Sequence, residues 1–328
     1  MPTAIVTGVT GQDGGYLAEA LLGDGWQVHG LVRPHDAALA KTQLRWPGIV
    51  LHQGDLTHAD RLRGLIDEVE PDEIYNLGGI SSVALSWTQP VLTAQVSGVG
   101  TGVLLEAAWQ LQERLGRPVR FLQASSAEIF GAPEKSPQDE STPIRPVTPY
   151  GAAKAFAHHL VGVYRGRGLH ASAGILYNHE SPRRPETFVT RKITKAAAHI
   201  AAGDQDSLVL GNLDVRRDWG WAPDYVDAMM RAIRHPVADD YVIATGEARS
   251  VRDFVAAAFR HAGLTDWQRH VQVDPALVRP AEAVEQLGDA DHARKTLGWA
   301  PTISFQEIVA RMVDEDLISA ARGQDHQA

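Results

Sequence analysis

The sequence predicts an α/β protein: a doubly wound parallel sheet of the Rossmann kind with a smaller C-terminal α/β substrate domain. Three observations predict it. Short apolar runs alternate with stretches of helical spacing through the first half, the pattern of parallel strands joined by crossover helices. The first run, Thr3–Thr7, passes straight into a glycine turn that opens a helix. After Tyr177 the alternation gives way to polar turns and a basic series. The expected division is 1–178 for the sheet domain, joined by parts of 213–245, and 179–328 for an interleaved second domain.

Composition narrows the function classes. A chain of 328 residues, 44% apolar and 22% charged, can bury a sizeable core in one or two domains. Zero cysteines exclude a disulfide framework and thiolate metal sites and suit a reducing cytoplasm; no resident metal is expected. The net charge of -9 argues against nucleic acid as a partner. No apolar run is expected to approach membrane-spanning length, and the N-terminus reads as a strand rather than a signal segment.

Taken in order, Gly8-Val-Thr-Gly11-Gln12-Asp13-Gly14 follows the first strand, and Tyr16–Leu22 is helical until Gly23 and Gly25. The glycines allow a tight turn and close backbone approach, so the helix N-terminus can hold a dinucleotide pyrophosphate. Gln27–Val32 is the second strand. The residue at its end should meet the adenosine ribose, and it is Arg33, which suits a 2′-phosphate and favours NADP over NAD; Asp36 close by keeps NAD in play. Ile49–Gln53 is the third strand, with Gly54-Asp55-Leu56 placed to touch adenine. Ile74–Leu77 is the fourth, ending in Gly78 and Gly79. Pro90–Gln112 reads as one long helix with few charges, either buried or a dimer face. Phe121–Ser125 is the fifth strand and Ala171–Tyr177 the sixth.

Between those last two strands lies the candidate chemistry. Ser126 and Glu128 sit on a loop at a strand C-terminus. Tyr150 and Lys154 open the next helix, and an i, i+4 pair lies on one helix face. An ammonium beside a phenol favours phenolate and makes tyrosine a usable base. In the second half, Arg183, Arg184, Arg191, Lys192, Arg216, Arg217 and Arg279 form a basic series suited to a diphosphate, Lys192 and Arg217 foremost.

Glycine turn, serine, tyrosine and lysine together resemble the extended short-chain dehydrogenase/reductase family. The chain is most similar to its GDP-mannose 4,6-dehydratase branch, through Gly54-Asp-Leu-Thr57, Glu73–Gly78, Asn178-His-Glu-Ser-Pro-Arg-Arg184, Phe188-Val-Thr-Arg-Lys192, Leu210-Gly-Asn-Leu-Asp214 and Arg217-Asp-Trp-Gly220. The resemblance implies that a nucleotide-activated hexose, GDP-mannose foremost, becomes a 4-keto-6-deoxy sugar, a step of deoxysugar biosynthesis. In it Tyr150 would deprotonate the C4 hydroxyl, Ser126 would hold the C4 oxygen, and Glu128 would take the C5 proton and help expel the C6 hydroxyl. Cofactor contacts would come from Gly8, Gly11, Gln12, Asp13, Gly14, Arg33, Asp55, Leu56, Leu77, Gly78, Tyr150, Lys154 and His179. Substrate contacts would come from Ser81, Asn178, Val189, Lys192, Leu210, Gly211, Arg217, Arg279 and Glu282.

Three departures stand out against that resemblance. Ser126 stands where threonine is usual, Gly79-Ile-Ser-Ser82 replaces a more polar segment, and Pro34–Trp46 is shorter than the arginine-rich loop through which relatives assemble as tetramers. A homodimer on helices near 90–112 and 151–166 is as well supported as a homotetramer. A nucleotide-sugar epimerase or an NADPH-dependent 4-keto-sugar reductase would share the fold. An epimerase would need no carboxylate at Glu128; a non-catalytic nucleotide-sugar binder would need none of the four.

Overall fold

The computed structural model describes residues 1–34, 36, 38–277 and 283–325. The first part of the chain runs β1 (Thr3–Thr7), α1 (Gln12–Gly23), β2 (Gln27–Val32), α2 (Leu39–Arg45), β3 (Val50–Gln53), α3 (Ala59–Val69), β4 (Glu73–Asn76), α4 (Val83–Thr88), α5 (Pro90–Ala94), α6 (Gly100–Leu115), β5 (Arg120–Ala124), α7 (Pro149–Gly166) and β6 (His170–Leu176). The rest runs β7 (Asn178–Glu180), α8 (Val189–Ala202), β8 (Leu208–Leu210), β9 (Arg216–Trp221), α9 (Ala222–Arg234), β10 (Asp240–Ile243), β11 (Ala248–Ser250), α10 (Val251–His261), β12 (Val271–Val273), β13 (Glu285–Gln286), α11 (Asp291–Leu297) and α12 (Phe305–Asp325).

Seven parallel strands form the main sheet in the order β10-β6-β5-β4-β1-β2-β3. Alternate residues of β1 serve opposite faces: Ala4 and Val6 pack with Leu17, Val28 and Met229, while Ile5 packs with Leu62, Leu104 and Phe121. Both faces are covered, as a parallel sheet requires. The strand order reverses between β1 and β4, which opens a crevice beyond their C-terminal ends.

The second layer is a small sheet of β11, β9, β13 and β7, with a separate β8–β12 pair. Its core lies among α8, α10 and α12, around Ile193, Phe254 and Met312. The chain does not divide cleanly. Of the 213–245 stretch, β9 belongs to the small sheet, and only α9 and β10 rejoin the main one. α11 returns a second time to pack on α9 and β10, and Trp299 donates its indole hydrogen bond to Asp224 O.

Two expectations need correction. The Pro90–Gln112 helix is interrupted by a π-turn at Gln95–Val99 and extends to Leu115. The extra residue presents the Ser97 hydroxyl to Ile80 N (3.1 Å), so the bulge supports the rim of the crevice. The Pro90–Leu115 run is also long and apolar enough, by composition, to cross a membrane, contrary to the reading that no run approaches that length; half of its most apolar window is buried in the fold. It packs on α3 and α7.

Candidate active site

The crevice is a cleft of about 540 Å³, lined from the main sheet by Gly8, Gly11–Gly14, Arg33, Asp55, Leu56 and Leu77–Ser82, and from the second layer by Arg184 and Phe188. Its floor is the turn between β1 and α1. Gly8 has φ +69°, and a Cβ there would lie 2.9 Å from Gly78 N. A Cβ on Gly14 would collide with Gly8 O. Only glycine lets β1, β4 and the helix start come this close. Thr7 fixes the spacing by accepting from Gly78 N (2.8 Å) and donating to Asn76 Oδ1 (2.7 Å). The bared amides at the start of α1 fit a dinucleotide pyrophosphate.

Gln12, Asp13 and His179 meet although they are far apart in sequence. Gln12 donates to Asp13 Oδ1 and to His179 O, and accepts from the Ser181 hydroxyl (2.8 Å). His179 lies with Nε2 2.9 Å from Asp13 Oδ2 and Nδ1 2.7 Å from Tyr177 O, stacked on Tyr225. Both ring nitrogens face oxygen acceptors. Burial raises the Asp13 carboxyl, but the His179 charge and hydrogen bond and the Gln12 amide outweigh it and hold it below the usual range.

At the ribose end, Arg33 is mostly exposed, 3.9 Å from Asp36. Asp36 is the better anchored of the two, accepting from the Thr10 hydroxyl (3.2 Å) and Ala38 N (2.9 Å). The Asp55 carboxylate is occupied by the Thr57 amide and hydroxyl.

The catalytic candidates converge beside this cradle. Ser126 caps the single turn that carries Glu128, accepting from Glu128 N (3.2 Å). Thr148 caps α7, with Pro149 in its first turn, so Tyr150 and Lys154 emerge from a rigid helix start. A Cβ on Gly151 would crowd Glu128 O, so glycine lets α7 seat against that turn. Tyr150 is hydrogen-bonded to Ser126 and feels the Glu128 charge. Lys154 donates to Ala124 O (2.7 Å), with Nζ 5.9 Å from the Tyr150 ring centroid.

The lysine does not depress the phenol as expected. Burial pushes Tyr150 up to about 12, against the opposing Ser126 hydrogen bond. Burial also pulls Lys154 down to about 8, with Asp13 opposing. The ammonium is turned toward the β5 carbonyl, and burial keeps the phenol protonated.

The substrate-side expectations divide. Arg183 grips Glu19 (2.8 and 2.9 Å) and lies over Tyr16; Arg191 pairs with buried Asp316; Arg216 pairs with Glu285 (3.0 Å). Those three are tied to carboxylates of the fold itself. Arg184 lines the cleft beside Phe188, 3.3 Å from Glu180. Lys192 holds Val209 O (2.7 Å), next to Leu210 and Gly211, and Arg217 holds Ala283 O (2.9 Å). Ser81 is on the cleft rim, Asn178 is on β7 beside Trp219, and Val189 begins α8. Arg279 and Glu282 lie outside the described residues.

Sequence reading missed Thr7, Thr10, Ser97 and Gln286. The last donates its side-chain amide to Glu128 Oε1 (3.0 Å). Thr10 lies within the glycine motif and the other three in none; each is placed by a pairing distant in sequence.

Three comparisons bear on this geometry. A family profile described as GDP-mannose 4,6 dehydratase matches residues 5–312. The chain is 45% identical to GDP-mannose 4,6 dehydratase 2 of Arabidopsis thaliana, across 97% of this chain and 88% of that protein. It is 43% identical to the GDP-mannose 4,6 dehydratase of Homo sapiens, across 96% and 91%. Among solved structures, the Thermus thermophilus UDP-glucose 4-epimerase, in complex with NAD, superposes with a TM-score of 0.83 at 26% identity, covering 96% of this chain and 98% of that one. With the glycine cradle, the serine–glutamate turn and the tyrosine–lysine helix on one cleft, the chain belongs to the GDP-mannose 4,6-dehydratase family.

Proposed function

We propose that this chain is a nucleotide-sugar 4,6-dehydratase acting on GDP-mannose, a hydro-lyase that makes a 4-keto-6-deoxy sugar. The observation that carries the reading is Glu128: a carboxylate on the same turn as Ser126, close enough to Tyr150 for its charge to act on the phenol. Epimerisation at C4 requires no such base, whereas elimination across C5 and C6 does.

A nicotinamide cofactor held by the glycine cradle would supply the acceptor for the C4 hydride and the donor for its return to C6. Tyr150, acting through its minor phenolate form because burial favours the protonated phenol, takes the C4 hydroxyl proton, and Ser126 donates to the resulting carbonyl oxygen. A carbonyl at C4 acidifies C5–H, which Glu128 removes. The same carboxyl then protonates the departing C6 hydroxyl, and water leaves. A proton returned to C5 completes the cycle with no net oxidation.

Gly8, Gly11 and Gly14 with Gln12, Asp13 and His179 would hold the dinucleotide, and Arg33 favours NADP. Tethered Asp36 leaves NAD as the weaker alternative. Asp55, Leu56, Leu77 and Gly78 would line the adenosine side. Lys192 and Arg217 would face the diphosphate, with Ser81, Asn178, Val189, Leu210 and Gly211 around sugar and base. Trp87, Val91, Val99, Phe156 and Val163 are exposed on α4, α5, the π-turn and α7, and this apolar face supports a homodimer. The absence of cysteine suits a cytoplasmic enzyme.

The test is incubation of purified protein with GDP-mannose and catalytic NADP+, followed by mass spectrometry of the sugar nucleotide. Loss of one water without build-up of reduced cofactor is expected. Unchanged mass with altered chromatographic position would make it an epimerase.

A further inference from the structure

We propose that Gln286, on the substrate-side sheet, is a positioning residue for Glu128: its amide holds one carboxylate oxygen and so aims the other at the sugar. The inference rests on the dehydratase reading and adds to it a residue outside the catalytic motifs.

Glu128 is well fixed in its backbone and loosely fixed in its side chain. Its turn is capped by Ser126 and pressed by Gly151 of α7, yet the side chain is only half buried. Among the described residues, Gln286 is the one side chain that hydrogen-bonds its carboxylate. Gln286 is 4% exposed and belongs to β13, so the donor is held where the acceptor is not. A base that must reach C5–H and then the C6 oxygen cannot sample all its rotamers at equal cost; a misplacement of about 1 Å can cost about a hundredfold.

The choice of an amide fits the chemistry. Glu128 changes protonation twice in a cycle, and a partner that could itself ionise would compete for that proton. An amide N–H donates to Oε1 in both states, to a carboxylate oxygen or to the carbonyl oxygen of the acid. The proton taken from C5 therefore resides on Oε2 and leaves from Oε2 to the C6 hydroxyl.

Placement links this support to the substrate half. Gln286 stands in parallel register with Arg217 on the neighbouring strand, and the Arg217 guanidinium bonds Ala283 O, just ahead of β13. The strand gripped by the arginine facing the diphosphate ends on the side chain that aims the base.

The test is Gln286→Met, which keeps the length and removes the donor. The expected result is a KM within about twofold of wild type and a kcat lower by about tenfold to a hundredfold. The acid side of the kcat–pH profile should move to higher pH. In a single turnover the near-ultraviolet absorbance of reduced nicotinamide should accumulate, because C4 oxidation uses Tyr150 and Ser126 and only elimination is slowed. A merely structural role would lower melting temperature without moving the profile or trapping that species. If Gln286→Met melts too low to assay, Gln286→Glu retains the volume, and its like charge should move the acid limb further upward. An unmoved limb with no accumulation, in whichever variant folds, overturns the proposal. Wild-type protein that removes no water from GDP-mannose or any other nucleotide sugar overturns the parent reading, and this one with it.

Discussion

The cofactor side of the cleft and the substrate side use similar residue types to different ends. On the cofactor side the shape comes from backbone: Gly8 and Gly14 set distances that no side chain could occupy, and Thr7 pins Gly78. On the substrate side the shape comes from charges, several of which are paired within the fold. Arg183, Arg191 and Arg216 neutralise Glu19, Asp316 and Glu285, and Arg184, on the cleft, lies 3.3 Å from Glu180; Lys192, Arg217 and Arg184 are the cations we propose around the sugar nucleotide. An arginine in this fold is a rivet where it ties two elements together away from the cleft, and is proposed as a ligand where it stands on the substrate side of the cleft.

The largest expected effect is at the catalytic end. Tyr150→Phe should lower kcat by about a thousandfold while leaving nucleotide-sugar affinity, measured by titration calorimetry, near wild type. Normal turnover would remove the tyrosine from the reaction.

The ligand-or-rivet distinction is tested next. Arg191→Met strands the buried Asp316 carboxylate and should cost about 3–5 kcal/mol of stability in denaturant unfolding, with KM unchanged. Arg217→Met should instead raise KM about tenfold to a hundredfold. The same response from both would erase the distinction.

A smaller effect should appear with pH. Lys154 has its folded value pulled down to about 8 from an ordinary 10.5. Its ammonium is therefore lost first in the folded protein, and kcat/KM should decline above about pH 8. Stability runs the other way: between those two values the unfolded chain binds more protons, so this group's contribution rises with pH. A flat rate profile to pH 10.5 would show that the ammonium is not needed.

The smallest effect concerns the outer edge of the sheet. His29 Nδ1 and His52 Nε2 are 2.8 Å apart, and burial holds both below their ordinary 6.5. His158 and His170 are lowered by burial as well. The unfolded chain then binds protons first as the solution is acidified, so stability is complete above about pH 6.5 and falls below it. His29→Gln should flatten that fall in melting curves taken across the range.

Legibility in the sequence follows the same division. The β1–turn–α1 unit, the Ser126–Glu128 turn and the Tyr150–Lys154 spacing are local, and each was readable because strand, turn and helix signals adjoin. Family resemblance pointed to Gln12, Asp13 and His179, which we propose hold the cofactor and whose meeting depends on the return of the chain at β7. Pairings such as Arg183 with Glu19 or Gln286 with Glu128 reach across about half of the chain, and nothing in the spacing of residues selects them. The π-turn at Gln95–Val99 was equally hidden, since its sequence reads as ordinary helix. The failed expectation about Tyr150 has the same origin: i, i+4 places a lysine on the right face, but the carbonyl it turns to, Ala124 O, lies on another element.

The repeated crossing of the chain between its layers, at Tyr177, Trp221, Ala244, Gly288 and Trp299, also bears on how the protein is made. As the chain leaves a ribosome, β1 to β6 can pair as they emerge, but the open side of β6 waits for β10, and α9 waits for Trp299. A nascent chain halted near residue 178 would carry an unpaired, apolar strand edge, the feature that invites association with other chains. We expect the isolated 1–178 fragment to sediment as aggregate rather than bind cofactor. Synthesis of the substrate half is thus what completes the cofactor half.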